Sequence, residues 1–333
     1  MTEPTATAAG LWPGEDTLEA CRVILGELAA PQLPVLPALP GRGTGAEMVG
    51  RTAAMLVDLP VDVQSFGWRL VQRPGADARR ARNFLASDVN ALADAAGTLG
   101  AAVPRIKTQL LGPLSLAAAL HLPLGEKLLI DHGARRELTE SLAAGLAGHL
   151  AAVRAAVPGA LVSVQLEEPA IAEVLGGKVP TASGYRTVRA IAATEVRAAW
   201  QSIAEAARAA GADELLFAIP VSEAAPTILA PADSVGLLGP GTEAWGAADW
   251  ESVAALVESG KNIQLAAPPG AAGSAAQQIW RGWRNVGLPG ARLNALRLTE
   301  AKELSALSSQ QAKRVLADLT DTVEALQELA EAG

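Results

Sequence analysis

Ser163, Gln165 and Glu167 stand at alternate positions in Leu161-Val-Ser-Val-Gln-Leu-Glu-Glu-Pro-Ala170. The stretch opens rich in Leu and Val, turns polar, and stops at Pro169, which has no N–H to continue a ladder. In a strand, alternate residues face opposite sides. Val162, Val164 and Leu166 therefore share one face, and Ser163, Gln165 and Glu167 the other. In a parallel α/β barrel the first set would meet the surrounding helices and the second would point inward. Barrel interiors are usually filled by bulky branched residues, and chemistry gathers at the C-terminal ends of the strands. Three polar side chains ending in a carboxylate are the pattern of a site. The plainer alternative is an amphipathic strand with one wet face. Glu168 follows Glu167 directly, so the two carboxyls are expected on opposite faces unless Pro169 bends the strand end. By the same parity, Lys107 and Gln109 share a face of the strand Arg105–Leu111, which Gly112-Pro113 closes.

These residues need a scaffold, and the chain supplies one. Its 333 residues suffice for one large barrel or two average domains. Half are hydrophobic and 19% are charged, an ordinary globular balance. A net charge of −8 argues against nucleic acid as a general partner. The single cysteine, Cys21, lies in a helical pattern and excludes an intrachain disulfide framework. No apolar run reaches the length of a membrane span, and Met1-Thr-Glu-Pro4 lacks the basic start and apolar run of a signal peptide. No membrane partner and a cytoplasmic location are the expectations.

Along the chain, Thr7–Gly14 reads as a strand ending in a turn, and Asp16–Leu28 as a helix capped by Asp16 or Thr17. Pro31-Gln-Leu-Pro-Val-Leu-Pro-Ala-Leu-Pro40 carries proline at every third position, which suits polyproline II and a stiff loop over a barrel mouth. Val61–Val71 reads as a strand, and Asp77–Ala96 as a helix with three arginines near its start. A long helical stretch, 126–157, is expected to break near Asp131-His-Gly133. Short apolar strands at Glu214–Ile219, Ser234–Leu238, Asn262–Ala266 and Leu293–Leu298 alternate with helical patterns, including one at Ser222–Leu229. The alternation implies a parallel sheet with helical crossovers. With no Gly-x-Gly-x-x-Gly after the first strand and no linker, the expected fold is α/β: one (β/α)8 TIM barrel over residues 1–333, with a small N-terminal or capping extension.

Three blocks, in order, resemble the cobalamin-independent methionine synthase family. Gly10-Leu-Trp-Pro-Gly14 resembles the Ile-Gly-Ser-x-Pro turn after the first strand of that family's catalytic barrel. Gln109-Leu-Leu-Gly-Pro-Leu-Ser115 resembles its Thr-Gly-Pro-x-Thr segment, and Gln165-Leu-Glu-Glu-Pro-Ala170 its Gln-x-Asp-Glu-Pro-Ala strand. The resemblance is closest to short, one-barrel members. It implies methyl transfer from 5-methyltetrahydropteroyltriglutamate to homocysteine, in methionine biosynthesis. It implies substrate-binding roles for Gly10, Trp12, Gln165, Glu167 and Glu168, with Lys107, Gln109 and Ser163 as candidate pocket-lining residues. Glu167 stands where the family has Asp, and Leu11 where it has Ser.

The family's zinc, held by His, Glu and two Cys, has no counterpart ligands here. The His-x-Cys position falls near Leu216-Phe-Ala-Ile-Pro220 and the last cysteine near Thr299-Glu-Ala-Lys302. His121, His132 and His149 are read as surface or core histidines. No metal and no cofactor are expected. Zinc ionises a bound thiol that is otherwise only a few per cent thiolate at neutral pH. Standard activity is therefore doubtful on chemical grounds. The alternative is a catalytically silent barrel that binds a folate, an amino acid or a partner protein. Uroporphyrinogen decarboxylase, of the same barrel class, ranks behind both because its arginine-rich N-terminal signature is missing.

Overall fold

The computed structural model describes residues 3–239 and 241–332. Met1 and Thr2, which open the stretch read for a signal peptide, lie outside the described residues. The core is a curled parallel sheet of seven strands in the order β1-β9-β8-β7-β6-β5-β4. These are β1 (Thr5–Ala6), β4 (Arg105–Leu111), β5 (Leu161–Glu167), β6 (Glu214–Pro220), β7 (Ser234–Leu238), β8 (Asn262–Ala266) and β9 (Leu296–Thr299). Strands β2 (Val61–Gln64) and β3 (Gly67–Leu70) form a separate antiparallel hairpin.

Helices clothe the outer face: α1 (Thr17–Glu27), α2 (Met48–Ala53), α3 (Ala76–Thr98), α4 (Pro113–Ala119), α5 (His132–Ala156), α6 (Ile171–Gly176), α7 (Ala193–Ala209), α8 (Ala247–Glu258), α9 (Ala272–Asn285) and α10 (Ser309–Ala332). The long helices are amphipathic, each burying one apolar stripe. In α7 that stripe is Val196, Trp200, Ile203, Ala204 and Ala207, a 3.6-residue repeat. Asp16 caps α1 by accepting from Glu19 N, and Asp131 caps α5 by accepting from Ala134 N. The long helical stretch therefore breaks at Asp131, as its sequence predicts.

The strand parity holds. Val162, Val164 and Leu166 are buried against the helices, and Ser163 and Gln165 are buried on the inner side. Three other expectations need correction. Val61–Val71 is not one strand but the hairpin β2–β3, reversed at Ser65-Phe66, with Gly67 at a positive φ of 107° directly after the turn. Ser222–Leu229 holds only a short 3-10 turn at Val221–Glu223. The segment Pro31–Pro40 is not a loop over the barrel mouth. Its extended part runs between β1 and β4 and bonds to both sides. Leu33 N donates to Ala6 O and Ala38 N to Gly10 O, each at 2.9 Å. Leu36 N donates to Lys107 O at 2.8 Å, and Lys107 N to Pro34 O at 2.9 Å. The donors in this segment are all non-proline residues, so its prolines sit where no N–H is spent.

Candidate functional site

A cavity of about 220 Å³ opens at the C-terminal ends of the strands. Ala9 and Leu11 follow β1. Gln165 and Glu167 come from β5, Gln264 from β8, and Thr299 and Glu300 from the end of β9. Gly236 of β7 completes one wall. A side chain there would crowd Ala218 and Leu216, with contacts of 3.2 Å. The polar groups beneath and around this cavity form three levels.

The lowest level is structural. Glu214 accepts from Ser163 Oγ at 2.6 Å and from Ser234 Oγ, and pairs with Arg297 at 3.3 Å and Arg105 at 3.4 Å. Burial pushes the Glu214 carboxyl up. Arg297, the two serine hydroxyls and Arg105 together outweigh it and hold the carboxyl down to about 2.

The middle level is Lys107, fully buried. Its Nζ donates to Ala8 O and Gln165 Oε1, both at 2.7 Å, and to Gln264 Oε1 at 3.2 Å. Burial, reinforced by Arg297, brings this ammonium down to about 7. Gln165 passes the polarity upward. Its Nε2 donates to Ala9 O at 3.1 Å and to Glu167 Oε1 at 2.8 Å.

The upper level holds Glu167 and Glu300, two of the three carboxyls that line the cavity; exposed Glu303 and Lys302 line it as well. Glu300 accepts from Ala9 N with both oxygens at 3.0 Å, and from Thr299 Oγ1 at 2.7 Å. Withdrawal from water raises Glu167 to about 7 and raises Glu300 as well. Both are therefore poised to gain from a cationic ligand, which would favour their ionised forms.

The backbone at 8–10 threads through this network. Gln109 Nε2 donates to Gly10 O at 3.2 Å and to Leu36 O at 2.9 Å. Gly10 has φ 132°, and a Cβ there would stand 2.4 Å from the Gln109 amide. Only glycine lets the chain pass so close.

Of the residues singled out in the sequence, Gln165 and Glu167 line the cavity together. Lys107, Gln109 and Gly10 are buried supports just below or beside it. Ser163 is not a lining residue; its hydroxyl is spent on Glu214. Trp12 belongs to the hydrophobic core, and its neighbour Leu11 faces the cavity instead. Glu168 turns the other way. It accepts from Leu114 N at 3.1 Å, Ser115 N at 2.6 Å and Trp200 Nε1 at 2.9 Å, anchoring α4 and α7 to the strand end. Arg51 is buried and pairs with Asp88 inside the protein, away from the cavity. Gln264, Glu300 and Glu214 went unnoticed in the sequence. The signal was present, since Gln264 interrupts an apolar strand and Glu300 follows a strand's C-terminal end, as Glu167 ends another.

The residues around the cavity do not fit a thiolate–imidazole zinc site. The cavity offers carboxylates, amides, a hydroxyl and the Lys302 ammonium, with no cysteine or histidine. Cys21 is on α1, its thiol pushed up to about 12 by burial and by Asp88. His149 is buried against Thr108 Oγ1 at 2.8 Å, and His121 near the hairpin. Among the described residues no group of three His, Cys, Asp or Glu is placed to hold a metal ion. Nor is any helix among them long and apolar enough to cross a membrane.

No family model matches the chain, and no curated protein sequence matches it. Solved structures do. A B12-independent methionine synthase from Shewanella sp. W3-18-1, in complex with selenomethionine, aligns over 100% of both chains with a TM-score of 0.62 and 14% identity. A methyltransferase from Methanosarcina mazei aligns over 98% of this chain and 94% of its own, with a TM-score of 0.57 and 11% identity. A Listeria monocytogenes protein described as a vitamin-B12-independent methionine synthase aligns over 97% and 98%, with a TM-score of 0.51 and 13% identity. The chain thus has a methionine-synthase-like fold.

Proposed function

We propose that this chain is a one-unit (β/α)8 barrel, its eighth stave the segment 33–38, that binds an amino acid of the methionine and homocysteine class without zinc. The observation that carries this reading is the pairing of Glu167 and Glu300 across one cavity at the strand ends. Two carboxyls withdrawn from water gain most from a ligand that brings a compact cation, such as an α-ammonium group. Leu11, Leu237 and Leu238 line the same cavity and suit an unbranched apolar side chain. The selenomethionine bound by the Shewanella protein of like fold supports the ligand class. The donor set excludes the family's thiolate zinc site, so no metal-bound thiolate enters this account.

Thermal unfolding with methionine, homocysteine and methyltetrahydropteroyltriglutamate, each with and without zinc, tests the reading. A ligand at 100 times its Kd stabilises by about 2.7 kcal/mol. Methionine and homocysteine should raise the midpoint equally with and without zinc. Failure of every amino acid to move it would refute the proposal.

One observation favours a second reading, methyl transfer to the thiol of homocysteine. Glu167, raised to about 7, lies within about two units of an ordinary thiol, a workable match for a general base. Formation of methionine from homocysteine and methyltetrahydropteroyltriglutamate, lost in Glu167→Gln, would establish it.

A further inference from the structure

Lys107 is buried to the last atom, and its hydrogen-bond acceptors are one carbonyl and two side-chain amides. An ammonium is a donor only. It therefore compels both amides to turn their oxygens toward it. The opposite ends of those amides face upward as a consequence. Gln165 Nε2 reaches Glu167 and Ala9 O. Gln264 Nε2 places one hydrogen toward Gln165 Oε1 at 3.4 Å, which leaves its second for the cavity that Gln264 lines.

We infer that Lys107 is a positioning residue that sets the polarity of the cavity, aiming a carboxylate through Gln165 and an amide N–H through Gln264 at one zwitterionic amino acid. The class of ligand rests on the proposed amino-acid site. The orientation of the two amides stands without it. In this arrangement Glu167 takes the α-ammonium group and Gln264 donates to the α-carboxylate. Were Lys107 a neutral acceptor, each amide would be free to flip, and a flipped Gln165 would set an oxygen against the Glu167 carboxylate. The charged groups around Lys107 are Arg297 of β9 below, Glu214 of β6 and Glu167 of β5, and Glu300 beyond β9. They leave its ammonium able to lose its proton near neutral pH.

Two measurements test this. The first uses the unmutated protein without ligand: side-chain amide 15N resonances followed from pH 5 to 9. They are assigned by their loss in Gln165→Leu and Gln264→Leu. The Gln165 and Gln264 signals should shift in one common step near pH 7, and that step should persist in Glu167→Leu, which removes the other group that titrates there. Signals that stay flat, or that move at separate pH values, would overturn the inference. The second is methionine binding by calorimetry. Lys107→Met should weaken binding about tenfold, and Gln264→Leu should add little on top. Unchanged affinity in Lys107→Met, or effects of the two substitutions that multiply in full, would overturn it. Should Lys107→Met fail to fold, or methionine fail to bind, the amide titration decides the positioning role by itself.

Discussion

Glu167 and Glu168 are adjacent in sequence and face opposite sides of β5. Glu167 opens into the cavity, held by Gln165 at 2.8 Å, while Glu168 is fully buried outside the sheet among two backbone amides and the Trp200 indole. The same residue type thus lines a cavity at one position and ties elements together at the next. Glu168→Gln keeps the volume but turns one acceptor into a donor facing N–H groups. It should lower unfolding free energy by about 1–3 kcal/mol, measured by urea denaturation, whereas Glu167→Gln should leave stability unchanged or raised.

Glu214 gives the inner face of the sheet an acid dependence. Its carboxyl is held at about 2 in the fold, against an ordinary 4.5. A folded pKa below the unfolded one stabilises above about 4.5, and the contribution is lost as pH falls toward 2. The linkage amounts to roughly 3 kcal/mol. Urea unfolding between pH 6 and 2.5 should show this loss in the unmutated protein and a flatter profile in Glu214→Gln.

His149 acts in a higher window. Burial, with Arg51 adding to it, lowers the imidazole from 6.5 to about 3. The folded protein therefore resists protonation that the unfolded chain accepts. Stability from this group is full above about 6.5 and declines as pH falls toward 3, by roughly 5 kcal/mol in all. His149→Gln, which keeps a partner for Thr108, should remove the onset of acid destabilisation below pH 6.5 in the same assay.

Gly10 admits no side chain. Gly10→Ala would press a methyl into the Gln109 amide and force the φ of 132° on an L-residue. Strain of this kind costs about 1–3 kcal/mol. The variant should unfold at lower urea concentration, and any ligand bound beside Ala9 and Leu11 should bind more weakly.

Much of this was legible in sequence where period and burial agree. The alternation in Leu161–Glu167 placed Gln165 and Glu167 on the inner face, because a buried strand leaves no other arrangement. The helices with long apolar stripes were legible for the same reason. Pro31–Pro40 was not, because proline spacing reports a backbone preference for extension and is silent about which neighbours supply hydrogen bonds. Val61–Val71 was not, because its hydrophobic residues continue across the two-residue turn at Ser65-Phe66. Ser163 and Trp12 were misplaced because parity gives the side of a strand but not the depth along a barrel. Depth depends on the register between strands, such as Lys107 beside Ser163 in β4 and β5, and that is a property of pairs.

The proposed site has Glu167 meeting an amino acid without zinc. Isothermal titration of methionine into the unmutated protein and into Glu167→Gln, both in chelator, tests that directly. Saturable binding is expected, weakening at least about tenfold in Glu167→Gln, the order of one lost charge-assisted hydrogen bond. Equal binding by the two proteins, or binding that appears only when zinc replaces the chelator, would contradict it.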